Sequence, residues 1–480
     1  MKKTGIALAV LLVAAGAAGA GAWYTGKQVE SLLGDKVAEA NDALRRQLPG
    51  SEINLQLVAL ERGVFSSQAR YRVDLGELAV DLPSSELVLV ERIEHGPLPL
   101  SRLLRLQWRP VLTHGQARLE RNALSAPLFE MSGEAEPLTL ATTLHYNRTA
   151  SVAIELAPLR VAAPHYTLDF SGFSGTLAGD REHLRGHGGF QRLELRAADP
   201  SPARLEVRGV HFEVDRTLSP SGLFQGEQSG RVARLDIQLP ELAPLVLSGI
   251  DLRDRVSEDA GRLAAEFGSR VEEVRYGDAP LGALELNWSV RDLQIAALRE
   301  LAELLALHAD ALGDEAGHGG LSPSQEEQLR QALYRLLASQ PQLNLERLAL
   351  RTRNAESQLR IALTLNRPED GELTPEAFLR QLLARLNIEL ELPKATIRDL
   401  VGYQALLDPT LDAEAVALEA GMLAEMAGEM AVGLQLAALE NDTLKSRLSY
   451  ADGQVTFNGN SMPLEEFTAL LSLLAASGLE

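Results

Sequence analysis

The chain contains no cysteine in 480 residues. That excludes a disulfide framework, a thiolate metal site, a cysteine nucleophile and a lipid-modified N-terminal cysteine. It is compatible with an oxidising compartment without requiring one. Aromatic residues are scarce, at 5%, although apolar residues make up 45%, which is enough for a sizeable folded core. Positive charge is also short: 46 basic residues face 66 acidic ones, for a net charge of -20. The bulk surface is therefore repelled by nucleic acid and by anionic head groups, and no nucleic-acid partner is expected. Only six of the basic residues are lysine; the rest are arginine.

Catalytic signatures are missing as well. There is no Walker A loop, no G-x-G-x-x-G, no H-E-x-x-H and no S-x-x-K. "GFSGT" around Ser174 departs from a nucleophile elbow, because the second glycine follows the serine directly. It reads as a turn between strands. Asp180, Glu182, His183 and His187 imitate a metal cluster in composition. A histidine pair at i, i+4 converges only on a helix, and "REHLRGHGGF" is broken by glycine and reads as a loop. His308 and His318 flank an acidic, Gly-rich loop and read as solvated. No catalytic residue, metal site or cofactor is nominated.

What the chain does have is one long apolar run. Gly5 to Tyr24 is 20 residues without charge, and a helix of that length spans about 30 Å, the hydrocarbon thickness of a bilayer. Lys2 and Lys3 would stay cytoplasmic; Trp23 and Tyr24 sit where an interfacial aromatic belt belongs, and Lys27 can snorkel outward. The competing reading is a cleaved signal peptide, with Ile6 to Val13 as its h-region and Ala20-Gly21-Ala22 as its cleavage site. The small residues after Val13 would also let two such helices approach closely, which permits a homo-oligomer.

Beyond the anchor, apolar residues at helical spacing predict an amphipathic stalk helix over residues 25–50. From 51 to 290 the dominant period is two: Tyr71, Val73 and Leu75; Val152, Ile154 and Leu156; Leu284, Leu286, Trp288 and Val290. Such alternation predicts antiparallel sheet with one face solvated. The parity change at Gly209 suggests a bulge. Residues 291–480 read as mixed: helices near Leu298–Leu312, Leu329–Leu337 and 411–440, strands at Leu359–Leu365 and Ile388–Leu392, and a hairpin turning at Asp452-Gly453. Met422, Met426 and Met430 recur at i, i+4 and i+8 and read as helix core. The expected fold is β-rich α+β: curved antiparallel sheet with helices inserted in the C-terminal half, preceded by one transmembrane helix. The later strands can pair back into the first sheet.

Five segments together resemble the bacterial YdgA family of membrane-anchored proteins of unknown biochemical function. They are "GAWYTGKQVE" (Gly21 to Glu30), "RGVFSSQARY" (Arg62 to Tyr71), "HGPLPL" (His95 to Leu100), "APLFEMSGEAEP" (Ala126 to Pro137) and "SYADGQVTFNGNSMPLEEF" (Ser449 to Phe467). The resemblance implies an inner-membrane protein with residues 5–24 uncleaved and the soluble part in the periplasm. It carries over no catalytic residue. Three functions follow as expectations. The first is a non-enzymatic envelope protein that binds or assembles with another protein. The second is a lipid- or hydrophobe-binding conduit with an AsmA-like amphipathic sheet. The third is a periplasmic hydrolase.

Overall fold

The computed structural model describes residues 38, 41, 53–63, 65–76, 85–180, 182–197, 202–308, 322–369, 375–408 and 410–469. The expected span 5–24, most of the stalk 25–50 and the loop holding His318 lie outside them. Among the described residues, no helix is long and apolar enough to cross a membrane. Two compact units are present. Unit 1 falls within Met1–Thr217 and Gly230–Pro240, and unit 2 within Leu218–Ser229 and Glu241–Glu480. Both are β-rich, and the sheet is antiparallel and not closed into a barrel.

Unit 1 starts with β1 (Asn54–Arg62), β2 (Ser66–Asp74) and β3 (Glu86–His95), then α1 (Leu100–Leu104), β4 (Thr113–Leu119), α2 (Ala126–Met131), β5 (Leu138–Leu144) and β6 (Ala150–Leu156). These six strands pair in sequence order. The alternation read from the sequence is realised here: Tyr71, Val73, Leu87, Leu89, Leu138, Leu140, Val152 and Ile154 share one buried face. Leu124, Leu128 and Phe129, from α2 and the turn before it, pack on that face. Asn41 closes the start of β1, its side-chain amide exchanging two hydrogen bonds with the backbone of Leu55 (2.9 and 2.8 Å). The two short helices α1 and α2 were not expected, because insertions were placed only in the C-terminal half. Five- and six-residue turns are too short to show a helical period.

β7 (Leu159–Ala163), β8 (Tyr166–Phe170), β9 (Phe173–Gly179), β10 (His183–Ala197) and β11 (Ala203–Leu218) continue the unit. β9 pairs with β6 and with the first half of β10; β8 pairs with the second half. Two expectations are corrected here. Ser174 lies inside β9, not in a turn, and His183 and His187 open β10, not a loop. The glycines that suggested a loop make room for rings. A Cβ on Gly188 would meet Phe173 Cζ at 2.8 Å and Phe212 Cζ at 2.9 Å, and those two rings stack with centroids 6.0 Å apart. Gly209 is left-handed (φ 63°), yet β10 and β11 keep register across it. β12 (Phe224–Gln238) follows, its residues divided between the units.

Unit 2 contains β13 (Leu245–Asp259), β14 (Arg262–Tyr276), β15 (Ala279–Gln294), β16 (Gln342–Arg351), β17 (Glu356–Leu365), β18 (Leu383–Pro393) and, after the helices, β19 (Ala438–Glu440), β20 (Thr443–Ala451), β21 (Gln454–Phe457) and β22 (Asn460–Pro463). β13 to β18 pair in order and β20 follows β18. Residues 290 and 291, where the sequence changes character, lie inside β15. The helices are α3 (Ile295–Leu307), α4 (Pro323–Leu337), α5 (Pro375–Leu382), α6 (Lys394–Gly402), α7 (Gln404–Leu407) and α8 (Ala413–Gly433). Asp452 and Gly453 both take positive φ, as the expected two-residue hairpin turn requires.

Candidate functional site

The most extended chemical feature of unit 2 is a sheet with two unlike faces. On one face, cross-strand pairs are apolar. Leu284, Leu286 and Trp288 of β15 lie opposite Leu350, Leu348 and Leu345 of β16. Leu348 and Leu345 lie opposite Leu359 and Ile361 of β17, which lie opposite Leu390 and Ile388 of β18. Phe267 of β14 packs on Trp288, ring centroids 5.9 Å apart. A register shift between Leu345 and Leu348 keeps both on this face although their spacing is odd. Across β14 to β18, no large apolar residue on this face is buried; all are half-buried or exposed. The face is therefore open. At about 4.8 Å per strand, the open stripe from β14 to β18 is about 19 Å across; on β20 the same face closes over Tyr450, which packs with Val455 and Phe467.

The opposite face is polar and internally paired. Ser289 Oγ donates to Glu346 (2.8 Å), Asn287 Nδ2 to Glu285 (2.8 Å) and Gln358 Nε2 to Glu391 (2.7 Å). Arg347 pairs with Glu285 and Glu356. These polar groups thus meet their partners laterally, within the face.

The second half of unit 1 repeats the pattern more sharply. Glu194 of β10 lies directly opposite Glu206 of β11, flanked by the pairs Arg192–Arg208 and Arg196–Arg204. Arg192 and Arg204 each bridge both carboxylates (2.6–2.7 Å), while Arg196 serves Glu194 and Arg208 serves Glu206. Burial would raise Glu194, but the hydrogen bonds from Arg196 and Arg204 outweigh it and hold the carboxyl below its usual range. Glu206 is depressed chiefly by the Arg208 hydrogen bond, against burial. Glu206 is 1% exposed, whereas its neighbour Leu205, on the other face, is 37% exposed. The charged face is thus the covered one, by its own arginines, and the apolar face is the one left to solvent.

A third polar group lies in the core of unit 1. Glu91 on β3 is fully buried; Tyr71 Oη donates to its Oε2 and Thr142 Oγ1 to its Oε1, each at 3.0 Å. Burial pushes the Glu91 carboxyl up, and the two hydroxyls only partly offset it. Burial, then the Glu91 charge, pushes the Tyr71 hydroxyl well above 10.0. These are the groups whose chemistry most resembles an acid/base pair, but they sit among packed aliphatic side chains.

Comparison with known proteins places these features in a family. A family model described as "Bacterial protein of unknown function (DUF945)" matches residues 1–465. The chain belongs to this family. Among relatives of this DUF945 protein, "Protein YdgA" of Escherichia coli is 25% identical over 99% of this chain and 98% of its own length. "Uncharacterized protein YihF" of the same organism is 23% identical over 97% of each chain. An uncharacterised protein of Haemophilus influenzae is 26% identical over 33% of this chain and 42% of its own. No solved structure matches.

The residues singled out by sequence fall as follows in the DUF945 fold. Lys2, Lys3, Trp23, Tyr24 and Lys27 lie outside the described residues. His183 Nδ1 is 3.3 Å from Asp180 Oδ1, and His187 lies farther along the same extended strand. Among the described residues, no three potential ligands gather around a metal position. His308 is buried and bonds Gln325 Nε2 through Nδ1 at 3.1 Å, so it is not the solvated residue expected. His95 Nε2 is 3.0 Å from Ser67 Oγ at the end of β3. The methionine stripe is also corrected: Met422, Met426 and Met430 are 61, 57 and 58% exposed, and α8 buries Val416, Ala420, Ala424 and Gly428 instead. Period alone missed the open sheet face, because alternation shows that a face is apolar and not whether anything covers it.

Proposed function

We propose that this DUF945 protein is held in the bacterial inner membrane by residues 5–24, with its soluble part in the periplasm, and that it binds lipid acyl chains along the apolar face of β14–β18 without catalysing a reaction. The open face carries this reading. It is mainly leucine and isoleucine, with Phe267 and Trp288 its two aromatics and no tyrosine or arginine among its cross-strand pairs, whereas protein hot spots favour Trp, Tyr and Arg. An acyl chain needs no polar partner there, and each methylene it buries contributes about 0.8 kcal/mol. The acidic pair Glu194 and Glu206 argues against a hydrolase, since four arginines hold both ionised. Glu91 does too, since it lies inside a packed core. Lys2, Lys3, Trp23, Tyr24 and Lys27 support the anchor. Intact mass of the mature protein tests that part: loss of the first 22 residues, up to Ala22, would refute it.

The binding reading is tested by placing the photocrosslinker p-benzoylphenylalanine at Leu286 in the full chain within envelopes. A phospholipid adduct is expected by mass spectrometry, and none from the same group at Glu285 on the polar face. A protein adduct at Leu286, or none, refutes it. One observation favours a second, protein-binding role: the exposed ridge of Leu418, Met422, Met426 and Met430 on α8. Methionine suits adaptable docking surfaces. The same crosslinker at Met426 would then yield a discrete protein partner, or a second copy of this chain.

A further inference from the structure

The loop between β3 and β4 combines properties that nothing so far explains. From Gly96 to Pro110 the sequence reads "GPLPLSRLLRLQWRP", with three arginines and no acidic residue, in a chain of net charge -20. Leu98, Leu100, Leu104, Leu106 and Trp108 are all exposed; the last three reach 77, 73 and 66%. α1, within this loop, buries none of its residues.

The exposure is not fraying. Gly96 N donates to Leu112 O (2.8 Å), Val111 N to Pro97 O (3.0 Å) and Leu112 N to Leu144 O (2.8 Å). The backbone N and Oγ of Ser101 both donate to Glu94 Oε2, at 3.0 and 2.7 Å. The base of the loop is stapled to the sheet, while its side chains from Leu104 to Trp108 stay exposed.

Topology gathers more of the same chemistry at this place. The β1–β2 turn, the β3–β4 loop and the β5–β6 turn all lie at one end of the sheet, because the strands are antiparallel and paired in order. The β1–β2 turn brings Phe65, 85% exposed, whose carbonyl accepts from His95 N at 2.9 Å. The β5–β6 turn brings exposed Tyr146 and Arg148. Among the described residues, Arg105, Arg109 and Arg148 have no ion-pair partner. The neighbouring β9–β10 turn carries Asp180 and Glu182, so the basic end is confined to β1–β6.

We propose that this end of unit 1 rests on an anionic phospholipid surface. Trp108, Phe65 and the loop leucines enter the head-group and acyl boundary, and Arg105, Arg109 and Arg148 meet the lipid phosphates. Separate protruding apolar tips interleaved with arginine suit a lipid surface, which needs no shape complementarity. A protein partner would instead be met by a flat or grooved patch with a packed centre. The contact opposes the repulsion that the acidic bulk of the chain exerts on the same surface, and it is local enough to do so. It does not depend on the N-terminal span or on the acyl-chain face.

The chain has three tryptophans, Trp23, Trp108 and Trp288, which makes the two membrane contacts separable. The full chain is reconstituted into phosphatidylcholine vesicles with and without phosphatidylglycerol, with bromines on the acyl chains as quenchers. The W23F/W288F variant reports Trp108 alone, and W108F/W288F reports Trp23 alone. Trp108 is expected to be quenched by the brominated lipid, several-fold more strongly with phosphatidylglycerol. R105Q/R109Q in the Trp108-only background should remove most of that increment. These residues are exposed, so the thermal midpoint should not change. Quenching of Trp23 without quenching of Trp108 would overturn the proposal while leaving the anchor intact, and would leave a protein partner as the reading of this patch. Quenching of Trp108 that ignores both phosphatidylglycerol and the arginine substitutions would also overturn it.

Discussion

Glu91 is a carboxyl with two hydroxyl donors, placed in the middle of an apolar sheet face. Its folded-state pKa lies above the ordinary 4.5, because burial penalises the charged form. Between the two values the native state keeps a proton that the unfolded state has lost. Stability from this group is therefore complete below about pH 4.5 and falls as pH rises through the folded value. Glu91→Gln keeps the shape and removes the titration. It should equal or exceed the parent at mildly alkaline pH and flatten the fall in urea midpoint between mildly acidic and mildly alkaline conditions. Glu91→Ala leaves a cavity and two orphaned hydroxyls and should cost about 2–4 kcal/mol. A Gln variant as damaged as the Ala variant would show that the charge itself is needed. No residue-level signal in the sequence set Glu91 apart. It is one of 66 acidic residues, and only the register that brings Tyr71 and Thr142 beside it does so.

α8 shows why the period of a helix and its buried side are different facts. The methionine spacing marked one face, and the helix expected over 411–440 contains the observed Ala413–Gly433, although the last three residues of that span form β19 instead. The buried face is the other one, made of Ala420, Ala424 and Gly428, because small residues let α8 approach α6 closely. A Cβ on Gly428 would meet Lys394 Cε at 2.6 Å. Lys394, itself buried, reaches Glu425, whose carboxyl is held low mainly by that hydrogen bond. Gly428→Leu should therefore lower stability by about 1–3 kcal/mol through overpacking, while Met426→Ala should change it by less than about 0.5 kcal/mol. Urea midpoints of the two variants decide this. A larger loss from Met426→Ala would place the ridge in a core after all. The misread start of β10 has a related cause: Gly186 and Gly188 looked like a loop, but neighbouring strands supply the side chains of Leu177 and Val214 and the rings of Phe173 and Phe212 that fill the space above them.

For the whole molecule, the expected β-rich antiparallel architecture holds, and DUF945 membership agrees with the family resemblance read along the chain. In unit 2 the fold keeps a wide aliphatic surface in contact with solvent, and the polar surface is the better satisfied one. Such a molecule gains stability from any ligand that covers the apolar face, by mass action on the native state. Stripping lipid from the full chain should lower its thermal midpoint, and adding phospholipid back should restore it. Leu286→Glu together with Leu359→Glu should remove that response. An unchanged midpoint after delipidation would count against the acyl-chain reading.

The sequence by itself determined the regularly alternating strands, which faces of them are apolar and that no recognised catalytic motif is present. These depend on local period and residue type, which a single chain carries in full. The membership of the family was legible for the same reason, from "RGVFSSQARY" near the start of the sheet and "SYADGQVTFNGNSMPLEEF" near the end. Only the tertiary structure decided which apolar faces are covered. The face of β1–β6 lies under Leu124, Leu128 and Phe129, while an equally regular face on β14–β18 lies open. It also decided that loops distant in sequence gather Phe65, Trp108, Tyr146 and three arginines at one end. Burial and proximity are properties of pairs of segments, and alternation within one segment is blind to both.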